Sequence, residues 1–155
     1  MSLCIRPATT SDHAGLEALV IDSFEPITWQ KKLDQNIGPL NGRDWRLRWQ
    51  SRLRQIFRTQ EVLVGEVAGE LAAMASATVD REAALGFIDV LAVGRAHQRQ
   101  GLGREMLQGM LQHLQDLGCQ YVHLDCLTDN VTGNALYASE GFSEMARHIR
   151  WFRKL

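Results

Sequence analysis

An apolar strand that runs through a glycine-containing loop into an amphipathic helix constrains the fold of this chain more than any other feature. The strand is predicted over residues 85–93, which read Leu-Gly-Phe-Ile-Asp-Val-Leu-Ala-Val with a single charge at Asp89. After a polar stretch, apolar side chains return at helical spacing before Gly118: Met106, Leu107, Met110, Leu111, Leu114 and Leu117. A strand, a loop and a helix in this order predict a mixed α/β (α+β) domain.

The rest of the chain alternates between strand and helix patterns. Strands are predicted over 3–6, 62–68, 71–79 and 119–126, with one or two closing strands in 142–155. Helices are predicted over 12–24, 43–59 and 132–140, and 25–42 is predicted as a loop with one helical turn around 29–33. No repeat, linker or low-complexity run separates these elements, so we expect one domain over residues 1–155.

Charge and cysteine usage exclude several classes of protein. The 17 basic and 18 acidic residues give a net charge of −1, which argues against nucleic acid and against an anionic membrane as partners. Arg6 and Pro7 interrupt the place where a signal peptide would be apolar, and no apolar run approaches the roughly 20 residues of a membrane span. Three cysteines, Cys4, Cys119 and Cys126, make no disulfide framework, so we expect a cytoplasmic protein.

The loop between the apolar strand and its helix has the features of a phosphate site. Residues 98–104 read Gln-Arg-Gln-Gly-Leu-Gly-Arg, and Gly101 and Gly103 allow a ligand to approach the backbone closely. The start of a helix offers free N–H groups and a partial positive charge to an anion. Arg99 and Arg104 add side chains that form charge-assisted hydrogen bonds with phosphate.

The same loop has three alternative interpretations: two kinds of nucleotide site and a helix start with no ligand. A dinucleotide-binding fingerprint needs a third glycine where this chain has Met106, and a Walker A loop needs a lysine that is absent here. A glycine-containing helix start with no ligand is the remaining alternative.

Three segments together resemble one family, the GCN5-related N-acetyltransferases. Residues 98–103, after the strand end 91–93, resemble the family's acyl-CoA pyrophosphate loop. Residues 130–142 read Asn-Val-Thr-Gly-Asn-Ala-Leu-Tyr-Ala-Ser-Glu-Gly-Phe and resemble its second motif. Residues 5–12 are similar to the family's opening, and only 25–60 fall outside the match.

The resemblance implies a fold and a cofactor. The fold is a mixed, mostly antiparallel twisted sheet of roughly six or seven strands with about four helices, in which splayed strands form an acyl-CoA cleft. The cofactor is acetyl-CoA, with CoA as product, and its pantetheine arm pairs with the strand end like an added strand. The residues implied in cofactor binding are Leu91, Ala92, Val93, Gln98, Arg99, Gln100, Gly101, Leu102, Gly103, Arg104, Asn130 and Tyr137.

The resemblance also implies catalytic groups for direct acetyl transfer in a ternary complex. Tyr137 falls at the family's general-acid position, and a hydroxyl with a pKa of about 10 suits a leaving thiolate. A backbone N–H near Val93 is the implied donor to the developing oxyanion. A packing role for Tyr137, and a covalent acyl-enzyme at Cys126, are the alternatives.

Asp89 is the candidate base, because it is the lone carboxylate on the apolar strand. The family often has glutamate on this strand, and the shorter aspartate favours action through a water molecule. A structural aspartate bonded to a neighbouring turn is the alternative. A second departure from the family is Arg95, which stands where proline is common.

The acceptor side is the least determined part of the sequence. In the family the region before and within the helix at 43–59 lines the acceptor pocket, so Glu25, Trp29 and Asp34 are predicted acceptor contacts. The same helix carries six arginines, which form either a solvated face or a binding surface for RNA, an acidic partner or an anionic substrate. They are Arg43, Arg46, Arg48, Arg52, Arg54 and Arg58.

We therefore predict an N-acetyltransferase that acetylates a primary amine of a small molecule or peptide. The alternative is a non-catalytic acyl-CoA sensor that binds a partner through the arginine-rich helix at 43–58. No metal is expected, because Cys119, His123 and Cys126 do not share one face of a strand. Trp151 and Phe152 suit either a homodimer interface or the core.

Overall fold

The computed structural model describes residues 2–155. It contains five strands, β1 Cys4–Pro7, β2 Glu61–Val67, β3 Glu70–Asp80, β4 Leu85–Val93 and β5 Tyr121–Leu124. The five α-helices are α1 His13–Phe24, α2 Trp29–Ile37, α3 Trp45–Thr59, α4 Leu102–Asp116 and α5 Val131–Ser139. Short 3₁₀ turns precede α1 at Thr10–Asp12 and follow β4 at Arg95–His97. By internal packing the chain divides into two compact units, Met1–Asp125 and Cys126–Leu155.

The strands form one mixed sheet in the order β1-β2-β3-β4-β5. The first three pairings are antiparallel, and β4 pairs with β5 in parallel. That last pairing joins residues 85–88 to Tyr121–Leu124 and stops there, although β4 continues to Val93. Among residues 2–155, no strand pairs with this edge of β4 over 89–93. The mixed, mostly antiparallel sheet matches the predicted fold.

A β-bulge at Asp89 changes which side chains of β4 lie on each face of the sheet. In the register with β3, Ser76 faces Val90 and Ala77 faces Ile88, so Asp89 is an extra residue. Before the bulge, Gly86 faces α4, where an added Cβ would lie 2.9 Å from Leu114 Cδ1. After it, Val90 packs into the cluster beneath α1 and α3. The bulge therefore sets which side chains of β4 each helix layer receives.

Helices cover the sheet on two sides. The cluster on the first side joins α1 and α3 to the sheet through Leu16, Val20, Trp45, Trp49, Leu53, Ile56, Val64, Met74, Val90 and Ala92. On the other side α4 buries an apolar stripe of Leu102, Met106, Leu107, Met110 and Leu114. Gly109 lets this helix approach β1, since a Cβ there would lie 2.5 Å from Ile5 Cδ1. These layers fix β4 and the start of α4, near which most of the predicted cofactor residues lie.

The element count differs from the prediction in two places. The sheet has five strands, because 142–155 forms no ladder and is described without helix or strand. The apolar residues there had the spacing of a strand, yet Ile149 and Trp151 are 75% and 86% exposed, which excludes a core role for Trp151. The second difference is α2, a full helix of nine residues where one turn was expected. Its start is capped by Thr28, which accepts from the Gln30 N–H.

Three further features of the fold concern membrane spans, cysteine thiols and metal ligands. None of the helices within residues 2–155 is both long and apolar enough to cross a membrane. The three cysteines are free thiols. The part of the chain that the structure describes holds no cluster of three side chains suited to a metal ion.

Candidate functional site

The loop after β4 has the backbone shape of an anion site. Arg99 and Gly101 both take left-handed conformations, with φ of 63° and 78°. Gly101 is the residue directly before α4. A non-glycine residue such as Arg99 in this region stores strain, and strain of this kind is concentrated at ligand sites. The loop therefore turns sharply twice before its chain enters the helix.

The start of α4 differs from the starts of α2, α3 and α5, because no side chain caps it. Side chains cap α2, α3 and α5: Thr28, Asp44 and Asn130. At α4 the position before the helix is Gly101, which has no side chain to cap the N–H groups, and a Cβ there would have no heavy atom within 4 Å. The first-turn N–H groups of a helix have no acceptor within the helix. They are thus available to an anion, with exposed Arg99 and Arg104 beside them.

Two side chains, Gln98 and Glu105, form hydrogen bonds at this loop and at the helix start that follows it. Gln98 Nε2 donates to the Val93 carbonyl at 3.0 Å and closes the loop onto the end of β4. Glu105, an acid in the first turn of α4, accepts the Leu3 N–H at 2.9 Å. The Gln98 contact lies on the carbonyl that the resemblance assigns to pantetheine, so this carbonyl already accepts one hydrogen bond from the loop.

Asp89 lies at the bulge and is held by two donors from α3 and its end. Arg52 Nη2 donates to Oδ1 at 2.5 Å, and Gln60 Nε2 donates to Oδ2 at 2.8 Å. The Asp89 side chain is 13% exposed. The partners are therefore 37 and 29 residues away in sequence, rather than in a neighbouring turn. Its role as base stays a prediction.

The environment of Asp89 contains two further features that the sequence did not reveal. The Arg52 guanidinium lies 4.7 Å from the centre of the Trp49 ring, so a cation–π contact also orients it. Gln60 Oε1 is buried without a hydrogen-bond partner. A buried acceptor without a donor is costly, so this corner suits a group that donates a hydrogen bond.

The three predicted acceptor contacts lie at the end of α1 and on α2. Glu25 lies beside Lys31, Arg46 and Arg95, with N–O distances of 3.1, 3.4 and 3.6 Å. The hydrogen bond from Lys31, followed by the surrounding charges, lowers the pKa of Glu25. Asp34 accepts the Trp45 N–H at 2.6 Å and an Arg48 N–H at 2.8 Å. Trp29, half-buried at the start of α2, is the third. Binding of an amine by these residues stays a prediction.

The arginines of α3 do not form a free basic surface. Acids pair with four of them, in Arg46–Glu25, Arg48–Asp34, Arg52–Asp89 and Arg54–Glu17. Arg48 is only 16% exposed and also donates to Gln30 Oε1 and the Arg43 carbonyl. It therefore ties α2 to α3. These pairs remove most of the charge on which an interaction surface for RNA or an acidic partner depended.

The second unit contains Asn130 and Tyr137. Asn130 Oδ1 accepts the Gly133 N–H at 3.1 Å and so caps α5. A Cβ on Gly133 would lie 2.7 Å from Asn130 Nδ2, which explains the small residue three positions after the asparagine. The predicted contact between Asn130 and the cofactor stays a prediction.

Tyr137 is half-buried on α5, with its ring edge-on to Phe142 at 5.9 Å. Burial, and then the neighbouring Cys126, raises the pKa of Tyr137 to about 12. Burial also raises the pKa of the Cys126 thiol, whose sulfur lies 4.0 Å from the Asn130 carbonyl. Tyr137 therefore keeps its proton at neutral pH. A thiol with a raised pKa is a weak nucleophile, which disfavours the acyl-enzyme at Cys126.

An open strand edge, followed by an uncapped helix start, suits an extended ligand that ends in an anionic group. The sequence profile described as "Acetyltransferase (GNAT) family" matches residues 29–142. The chain belongs to this family, whose acetyl donor is acetyl-CoA. The expected family and fold are confirmed.

The curated relatives match only part of the chain. It is 37% identical over 76 residues to "[Ribosomal protein bS18]-alanine N-acetyltransferase" of Escherichia coli K12, which is 49% of this chain and 50% of that protein. The chain thus spans about half the length of the curated relatives that it matches.

Solved structures support the fold. The ribosomal-protein-S18-alanine N-acetyltransferase from Escherichia coli has a TM-score of 0.70 at 21% identity, covering 93% of this chain and 79% of that one. The PaiA N-acetyltransferase from Thermoplasma acidophilum, solved with coenzyme A, has a TM-score of 0.70 at 17% identity, covering 92% and 91%. Glucosamine-6-phosphate N-acetyltransferase from Arabidopsis thaliana has a TM-score of 0.64 at 21% identity, covering 99% and 100%.

Proposed function

We propose that the protein transfers the acetyl group of acetyl-CoA to a primary amine. The observation that carries the proposal is the open edge of β4 over 89–93, which leads directly to the uncapped start of α4. An extended pantetheine arm suits the strand edge, and a diphosphate suits the helix start. Acetyl-CoA, when bound, supplies an activated thioester carbonyl. The residues of the chain bind it, orient it and manage protons.

The main chain between β4 and α4 supplies most of the binding groups. The N–H groups of 99–104 carry partial positive charges that attract an anion. The side chains of Arg99 and Arg104 add full positive charges. The backbone of 91–93 offers the hydrogen-bonding groups of an unpaired strand edge. When the ligand binds, it replaces the Gln98 side chain as the donor to the Val93 carbonyl.

Asp89 is our candidate for the group that accepts the proton of the amine. Its carboxylate offers about four lone-pair positions, and Arg52 and Gln60 use two of them. The remaining positions suit a water molecule that relays the proton of the amine to the carboxylate. Arg52 and Gln60 hence orient the carboxylate that we propose as the base.

Tyr137 is our candidate for the group that faces the departing thiolate. Its raised pKa keeps the hydroxyl protonated across the physiological range, as a donor requires. The oxyanion that develops on the carbonyl is proposed to receive a backbone N–H near Val93.

We infer that the acceptor is the amine of an alanine at the start of a protein or peptide. The curated relative at 37% identity is named for the alanine of a ribosomal protein. Alanine carries no amine except its α-amine, and within a polypeptide only the first residue keeps that group free. A peptide acceptor therefore fits the chemistry of direct transfer. The non-catalytic sensor loses its support, because acids neutralise most of the arginines on α3.

The test is release of free thiol from acetyl-CoA in the presence of peptides that begin with alanine. We expect release with the free peptide and none with the same peptide acetylated at its first residue. An equal rate with lysine alone would contradict the peptide specificity. Binding of CoA by calorimetry without thiol release from any amine would contradict catalysis and support the sensor.

A further inference from the structure

Arg95 connects the turn after β4 to the end of α1. Its Nε and Nη2 atoms both donate to the Asp22 carbonyl, at 3.0 and 2.9 Å. Nε also lies 3.4 Å from Asp22 Oδ2, and Nη2 lies 3.6 Å from Glu25 Oε2. A guanidinium that donates two N–H groups to one carbonyl has a defined orientation. The contact thus docks the first residue of the 3₁₀ turn on α1.

The carbonyl that Arg95 contacts lacks its normal donor. In an α-helix the carbonyl of Asp22 would accept the N–H of the residue four positions later, which is Pro26. Proline has no N–H, so this carbonyl needs a partner from outside the helix. Arg95 is that partner, and the site is therefore built by two residues that are far apart in sequence.

Glu25 extends the connection to the other helices of the first unit. Its carboxylate pairs with Lys31 in α2 and Arg46 in α3, as well as with Arg95. A change at Arg95 consequently reaches both the loop that follows β4 and the helices that precede β2.

We propose that Arg95 is a positioning residue that holds the loop at 98–104 in its cofactor-binding shape by anchoring the start of that loop to α1. The inference rests on the proposed function of this loop. Arg95 touches no reacting group, and its effect is on the binding of acetyl-CoA rather than on the chemical step. Removal leaves the turn free to move, so the backbone N–H groups have to be ordered again when the ligand binds.

The experiment compares Arg95→Ala with Arg81→Ala, an exposed arginine in the turn before β4. We expect Arg95→Ala to weaken CoA binding by about 10-fold in calorimetry and to raise KM for acetyl-CoA similarly, with kcat changed less than about twofold. Arg81→Ala, which loses the same charge, leaves the CoA affinity unchanged. Arg95→Lys restores only part of the affinity, since an ammonium lacks the paired N–H groups.

A second pair of variants keeps the test independent of folding defects. Pro26→Ala returns a main-chain N–H to the Asp22 carbonyl, so Arg95→Ala costs less thermal stability in that background than in the natural sequence. Arg95→Ala that lowers Tm but binds CoA as tightly as the natural protein would overturn the proposal. Failure of the natural protein to bind CoA would instead overturn the proposed function.

Discussion

Substitution of Tyr137 by phenylalanine isolates one hydroxyl group. The aromatic ring keeps its edge-on contact with Phe142, so the packing of α5 is preserved. Only the group that we propose to face the departing thiolate is lost. Any change in rate hence reports on the hydroxyl.

The raised pKa of Tyr137 determines the size of the effect. An ordinary alkyl thiol has a pKa of about 8.5, so transfer of a whole proton from a hydroxyl near 12 to a thiolate is uphill by about 5 kcal/mol. We therefore expect Tyr137 to act as a hydrogen-bond donor to the thiolate, not as a donor of the whole proton. A hydrogen bond to a charged group contributes about 1.5–3 kcal/mol, which corresponds to a loss of about 10- to 100-fold in kcat.

The assay is steady-state thiol release with a peptide acceptor at saturating acetyl-CoA, measured from neutral to strongly alkaline pH. We expect Tyr137→Phe to lower kcat within that range, with KM for acetyl-CoA nearly unchanged. The natural protein shows no alkaline loss of rate from this group until the pH approaches the pKa of about 12.

Two results would refute this reasoning. One is a kcat for Tyr137→Phe equal to that of the natural protein. The other is an alkaline limb centred near the ordinary tyrosine pKa of about 10 that disappears in the variant, which would mean that burial does not control the hydroxyl.

Three further changes give distinct expectations. Gly101→Val, at φ 78°, should weaken CoA binding, whereas Gly118→Val, at φ 96° beyond the other end of α4, should lower Tm without changing CoA affinity; equal affinities in calorimetry would contradict this. Asp12→Asn should cost about 2 kcal/mol at neutral pH. Hydrogen bonds from Arg6 and then Thr9 lower the pKa of Asp12, so its contribution is present in full above the unfolded pKa of about 4 and declines as the pH falls from there toward the lower folded pKa; a difference in urea unfolding that does not shrink between pH about 5 and pH about 2 would contradict this. Asp89→Asn should lower kcat/KM by about 100-fold or more, and an unchanged rate and acidic limb would exclude Asp89 as the base.

The elements nearest the proposed cofactor site were predictable because their signals are local. The apolar strand was predicted over 85–93 and is observed as Leu85–Val93, and the apolar stripe before Gly118 lies on α4. Both patterns reflect the burial of apolar side chains. They can therefore be predicted without knowing which element packs against them. The loop between them was identified by two glycines, one of which has the left-handed conformation that glycine favours.

The polar partners were not predictable from the sequence. Asp89 was singled out as a lone carboxylate, but Arg52 and Gln60 reach it from α3 and its end, across the fold. A contact of this kind depends on tertiary packing and leaves no periodic pattern. The role of Arg95 had one local signal, the proline four residues after Asp22, which indicated a carbonyl without a donor.

The most direct test of the proposed site is the change in backbone amide NMR signals when CoA is added to the natural protein. We expect the largest changes at 91–93 and 99–104, and we expect pantetheine, which lacks the diphosphate, to shift the first group but not the second. Changes confined to other parts of the chain, or no change at saturating CoA, would contradict binding by the strand edge and the start of α4.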